Sequence, residues 1–97
     1  MSHTITVEVR EMSGPKDNEA LMLSFLAGQW GTVPQFGQVY ADWLRRHNMA
    51  VVPTVTPLEH HADALRPSNM MFRFACGFVL DSDEDAEWFR LTFVGAA

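Results

Sequence analysis

The chain opens on a strict alternation of polar and apolar positions. Over residues 4–10, TITVEVR, the side chains of Ile5, Val7 and Val9 fall on one side and those of Thr4, Thr6, Glu8 and Arg10 on the other. That two-residue period predicts a half-buried strand. A Gly-Pro-Lys-Asp-Asn loop follows at residues 14–18, where Asp17 or Asn18 is placed to cap the next segment. Residues 19–28, EALMLSFLAG, have a helical composition, but apolar side chains surround the wheel and only Ser24 interrupts them. Such a helix is either buried between layers or covered by a partner. Glycines on either side of Trp30 end it, and Thr32, Pro34 and Gln35 then form a Thr-x-x-Gln capping box for a second helix. In that helix Phe36, Val39, Tyr40, Trp43 and Leu44 make a core-facing stripe, with Gln38, Asp42, Arg45 and Arg46 opposite. Asp42 stands one turn from Arg46, and Asn48 is a natural stop.

In the second half, MAVVPTV at residues 49–55 is rich in β-branched side chains and predicts a strand. Pro53 cannot donate to a ladder, which puts this strand at an edge or ends its pairing early. Thr56 as a cap, Pro57 at the first helical position and Glu59 three residues after the cap predict a short helix over residues 56–65. Residues 70–80 then alternate again. Met70, Phe72, Phe74, Cys76, Phe78 and Leu80 face the core, and Met71, Arg73, Ala75, Gly77 and Val79 face away, as in a long central strand. The end of the chain divides into a short acidic helix, SDEDAEWF, and a last strand, RLTFV. This order predicts one α+β domain over residues 1–97, with a mixed or antiparallel sheet of about four strands on two main helices. Its leading form is a ferredoxin-like βαββαβ variant. The strain in that scheme is its last crossover, because a parallel connection takes about a dozen residues or more and this helix is shorter.

Composition narrows the partners. A chain of 97 residues, 47% hydrophobic and 20% charged, can bury one core and should fold. The net charge of −5 opposes phosphate binding, so nucleic acid is a poor partner and a basic protein a better one. A single cysteine, Cys76, excludes an internal disulfide and Cys-rich zinc modules, as expected of a reducing compartment. No basic-then-apolar leader is visible, and no run approaches the ~18 apolar residues of a membrane span. A cytoplasmic protein without a membrane partner is expected.

The densest chemistry is the run Asp81, Asp83, Glu84, Asp85 and Glu87. Asp81, Asp83 and Asp85 match the opening of a helix-loop-helix calcium loop. Ala86 and Thr92, however, stand where that loop needs Gly and a bidentate Glu. Asp81 or Ser82 serves instead as a helix cap, with further acids favoured at the positive end of the helix dipole. Acids beyond that need suggest a surface for a basic partner. Glu59, His60, His61 and Asp63 are weaker candidates for a metal or acid-base site. On a helix His60 and Asp63 share a face, but adjacent His60 and His61 diverge by about 100°. Cys76, on an apolar strand face, reads as a buried thiol. No Gly-rich phosphate loop or nucleophile-base arrangement stands out, and no cofactor is expected. Three tryptophans, seven phenylalanines and six methionines are many for a small core. Trp30, between glycines, and Trp88, among the acids, are expected at the surface as interface anchors, with Met22 and Phe25 of the first helix pointing the same way.

The C-terminal stretch, with Asp85, Ala86, Phe89, Arg90, Leu91 and Phe93, resembles the endings of small phage-encoded α+β proteins, in which an acidic-capped helix precedes a strand that closes the sheet. That resemblance implies a viral or prophage accessory protein, of a class that often binds and inhibits a host protein, and carries over no catalytic residue. The leading expectation is a small acidic interaction module acting through Asp83, Glu84, Glu87, Trp88 and Trp30 on a protein partner or as a homodimer. The alternatives are a metal-dependent enzyme or ligand binder built on Glu59, His60, His61 and Asp63, or a structural subunit of a larger assembly.

Overall fold

A computed structural model of the chain describes residues 2–95. Its elements are β1 (His3–Pro15), α1 (Glu19–Gln29), α2 (Gln38–Arg46), β2 (Pro53–Pro57), β3 (His61–Ala62), β4 (Asn69–Leu80) and α3 (Asp83–Phe93), with 3-10 turns at Lys16–Asn18 and Pro34–Phe36.

The architecture is organised by β4. Of its predicted inner face, Phe72, Phe74, Cys76, Phe78 and Leu80 are buried and Met70, at the start, is half-buried against them. β1 pairs antiparallel with its whole length on one side, while β2 and then β3 pair antiparallel on the other. The result is an α+β fold with a four-stranded antiparallel sheet. β1 and β2 run parallel to each other with β4 between them, a split βαβ unit whose connection contains α1 and α2. The ferredoxin-like order does not form, because the strand expected over residues 90–94 is the end of α3. Ala86, Phe89 and Phe93 recur at helical spacing and pack inward along one continuous helix. A connection of that length could not have returned the chain for another parallel strand.

The helix expected over residues 56–65 is also replaced by extended chain. Pro57 ends β2, the Leu58 amide donates to the Arg73 carbonyl at 2.8 Å, and His61 and Ala62 pair with Met71 and Met70. These contacts satisfy the backbone of β4 on its second side, which a local helix would leave unpaired.

β1 departs from simple alternation. Thr6 pairs with Gly77 and Glu8 with Cys76, leaving Val7 in a bulge. Ile5 therefore faces the core, but beyond the bulge Glu8, Arg10 and Met12 stand opposite buried Cys76, Phe74 and Phe72. Val9, expected inside, is turned out and 46% exposed. Gly77 permits this close approach: a Cβ there would lie 1.9 Å from the Ile5 carbonyl oxygen.

Trp30 is not at the surface. It is 0% exposed, its ring lies 5.7 Å from Phe78 and 6.0 Å from Tyr40, and its indole N–H donates to the Gly77 carbonyl at 2.9 Å. Gly37, with φ of 81°, leaves room for it, since a Cβ there would meet the indole at 2.8 Å. α2 consequently starts later than the capping box predicts. The Thr32 hydroxyl donates back to the Gln29 carbonyl at 2.8 Å, and Phe36 belongs to the 3-10 turn. Ala41, Trp43 and Leu44 form the buried face, Val39 is exposed, and Asp42 pairs with Arg45 at 3.1 Å rather than with Arg46. Asn48 ends the helix as expected, at φ of 59°, with the Met49 amide bonded to Leu44 and its own to Arg45 in a Schellman closure.

α1 buries Leu26 while Leu21 and Phe25 remain exposed, so it is not sandwiched between layers. The helices share one side of the sheet. The other side carries Thr4, Thr6, Val9 and Glu11 of β1 beside Val79, Gly77, Ala75 and Arg73 of β4. No helix among the described residues is long and apolar enough to cross a membrane.

Trp30→Phe should cost about 0.5–1.5 kcal/mol, because it removes the indole hydrogen bond to the Gly77 carbonyl while keeping most of the ring volume. Gly77→Ala should cost more, since β1 must move bodily. Urea unfolding followed by circular dichroism measures both, and a Trp30→Phe protein as stable as the parent would refute this account of the bond.

Candidate interaction surface

The acidic run resolves into separate jobs once α3 is in place. Ser82 is the cap, its hydroxyl accepting the Asp85 amide at 3.3 Å and its carbonyl the Ala86 amide at 2.9 Å. Asp83, Glu84 and Asp85 occupy the first turn, where the helix dipole favours negative charge. Asp83 is further engaged by the His3 ring, which ties the start of β1 to the start of α3. That hydrogen bond, with the charge on His3, holds the Asp83 carboxyl below the usual carboxylate range.

Glu84 and Glu87 remain. Together with Trp88 and Leu91 they follow i, i+3, i+4, i+7 spacing and define one outward face of α3. Trp88 is 47% exposed and Leu91 53%. Neither Glu84 nor Glu87 makes an ion pair among the described residues. The Trp88 ring is held from beneath. Trp43 meets it edge-on at 5.1 Å, His47 meets it at 4.5 Å, and His47 lies against Trp43 at 4.2 Å. His47 is fixed in turn through Nδ1, 2.8 Å from the Trp43 carbonyl. On the inner side of the same helix, Phe89 and Phe93 pack against Trp43, and Phe93 against Tyr40. The inner face thus fixes the helix while the outer face offers a large aromatic ring with two carboxylates N-terminal to it. Of the residues expected to contact a partner, Asp83, Glu84, Glu87 and Trp88 lie together on α3. Trp30 lies in the core and presents no surface.

The histidine segment does not assemble a ligand set. In extended chain, successive side chains point to opposite faces. His60 lies 5.5 Å from the Phe72 ring and 3.9 Å from the Glu19 carboxylate, whereas His61 stands opposite Met71. Glu59 reaches Arg73 at 3.4 Å. Asp63 is buried and fastens a loop, accepting the Ser13 hydroxyl at 2.5 Å and the Leu65 amide at 3.0 Å. Those two bonds lower its pKa. Among the described residues no three His, Cys, Asp or Glu side chains come together as a metal site. Cys76 is buried, and burial pushes its thiol up to about 11.

One feature escaped the sequence altogether. Beyond the bulge, Glu8 and Arg10 pair at 2.9 Å on the helix side of β1. The Tyr40 hydroxyl donates to Glu8 at 3.1 Å, and the Arg10 guanidinium lies 4.8 Å over the Phe36 ring and donates to the Gln35 carbonyl. Burial and the Glu8 charge raise the Tyr40 pKa. An open groove of about 610 Å³ runs beside this cluster, lined by the consecutive residues Glu8, Val9, Arg10, Glu11 and Met12 with Leu26 and Phe36. The visible signal was the Glu8/Arg10 pair at strand spacing, but strict alternation placed it on the solvent side.

No protein-family model, curated protein or solved structure matches this chain.

Cys76 should resist a thiol reagent in the native protein at neutral pH and react fully on unfolding, as read by thiol titration. The Asp63 contacts have a definite acid dependence. A carboxyl whose folded pKa is lowered contributes above its unfolded value, near 3.9, and the contribution is lost as pH falls through the folded value. The Leu65 amide resonance should therefore titrate with a midpoint below that of an ordinary Asp, and Asp63→Asn should abolish the titration.

Proposed function

We propose that this domain is a protein-interaction module that presents the outer face of α3 to a partner with an apolar pocket bordered by Lys or Arg. The observation that carries the reading is Trp88, half exposed yet held in one orientation by Trp43 and His47. Interfaces draw most of their binding energy from a few aromatic anchors, and a ring already immobilised loses little rotamer freedom on binding. Glu84 and Glu87 beside it complement a basic rim, contributing more to the rate of encounter and to selectivity than to affinity. The net charge of −5 acts in the same direction at longer range. The acidic cap of α3 keeps part of the resemblance to phage accessory proteins, although the closing strand of that pattern is helix here, and that part would make the partner a host protein.

Affinity capture with the whole chain, compared with variants, tests the proposal. Trp88→Ala should weaken capture of the specific partner by roughly 30-fold or more, the effect of a hot-spot residue. The Glu84→Gln/Glu87→Gln pair should slow association and flatten its salt dependence, with the circular dichroism spectrum unchanged. A partner retained equally by parent and variants would place binding elsewhere on the molecule.

A further inference from the structure

Among the described residues β1 is an edge of the sheet, paired on one side only with β4. It runs for 13 residues, long for an edge strand, and its outer backbone groups are a template for another strand. We infer that the residue 8–10 stretch of this edge pairs antiparallel with the same stretch of a second copy, about a two-fold axis at Val9.

The side chains select both the occupant and the register. In a two-fold antiparallel pair, facing residues lie on the same side of the sheet, so the axis passes through one residue that meets its own counterpart. An axis at Glu8, Arg10 or Glu11 would set a charge against itself, which is destabilising. An axis at Met12 would place Arg10 opposite Gly14 and Glu11 opposite Ser13, leaving the charges unmatched. At Val9 the arrangement closes on itself: Glu8 of each copy faces Arg10 of the other, on the side of the sheet that carries the helices. Val9 meets Val9 on the open side, which accounts for an apolar side chain turned out there. The Val7 bulge of each copy limits the ladder at both ends, so association should be reversible rather than obligate. Because the axis is perpendicular to the sheet, the two grooves beside β1 meet along the seam. Met12, Leu26 and Phe36 line each of them with apolar surface. A foreign peptide would have to supply this charge order by chance, whereas a second copy carries it by symmetry.

Analytical ultracentrifugation of the whole chain from micromolar to millimolar concentration should show a concentration-dependent dimer. Val9→Lys sets two ammonium groups at the axis from an exposed position and should weaken the dimer by more than about tenfold while preserving the circular dichroism spectrum. Val9→Cys should oxidise to a disulfide-linked dimer, whereas Thr54→Cys, on the same face in β2, should not; buried Cys76 does not compete. Trp88→Ala should leave the dimer unchanged, so failure here is distinct from failure of the α3 reading. A parent chain that stays monomeric at millimolar concentration, a Val9→Lys protein that dimerises as well as the parent, or equal cross-linking at residues 9 and 54 would overturn the inference.

Discussion

The hydrogen bond from the Trp30 indole to the Gly77 carbonyl joins two parts of the chain 47 residues apart, and much of the structure depends on it. Trp30 belongs to the turn between α1 and α2, so its burial over Phe78 positions both helices relative to the sheet. Gly77 has no side chain to hold β1 away, and there the strand leans in and bulges. An indole N–H left unbonded in such a core would be costly. The bond therefore restricts how the helical layer can sit on the sheet.

The bulge beside Gly77 also decides which residues of β1 face solvent. Without it Val9 would continue the core from Ile5 and Val7, and Glu8 and Arg10 would be ordinary surface charges. With it the charged pair enters the helix side, where Tyr40, Gln35 and the Phe36 ring satisfy it. Buried or half-buried charges persist only when paired and hydrogen-bonded in this way. The displaced Val9 then gives the open face an apolar position at the middle of the free edge.

At the other end of the sheet α3 divides its chemistry between two faces. Phe89 and Phe93 join Trp43 and Tyr40 in a run of ring contacts, and Trp88 continues that run outward to the surface. The acidic residues are likewise divided: Asp83 is engaged by His3, while Glu84 and Glu87 precede Trp88 on the outer face. A surface built on a packed helix is held more rigidly than one on a loop, which suits recognition by shape.

Alternation along β4, the α1 and α2 segments, the Asn48 stop and the edge position of β2 were legible in the sequence, because each rests on local periodicity or backbone chemistry. So was the start of α3, where Ser82 caps and acids fill the first turn. The helix expected at residues 56–65 failed because hydrogen bonds to β4 outweighed a local cap. The strand expected at residues 90–94 failed because Phe89 and Phe93 bury themselves better in helical phase. Trp30 and the inner face of β1 beyond the bulge could not be read. Their placement depends on one glycine far along the chain, and only the approach of β1 to Gly77 decides it. By itself the sequence determined which segments could bury apolar surface; the tertiary structure decided which of them met, because close packing couples residues that no local period connects.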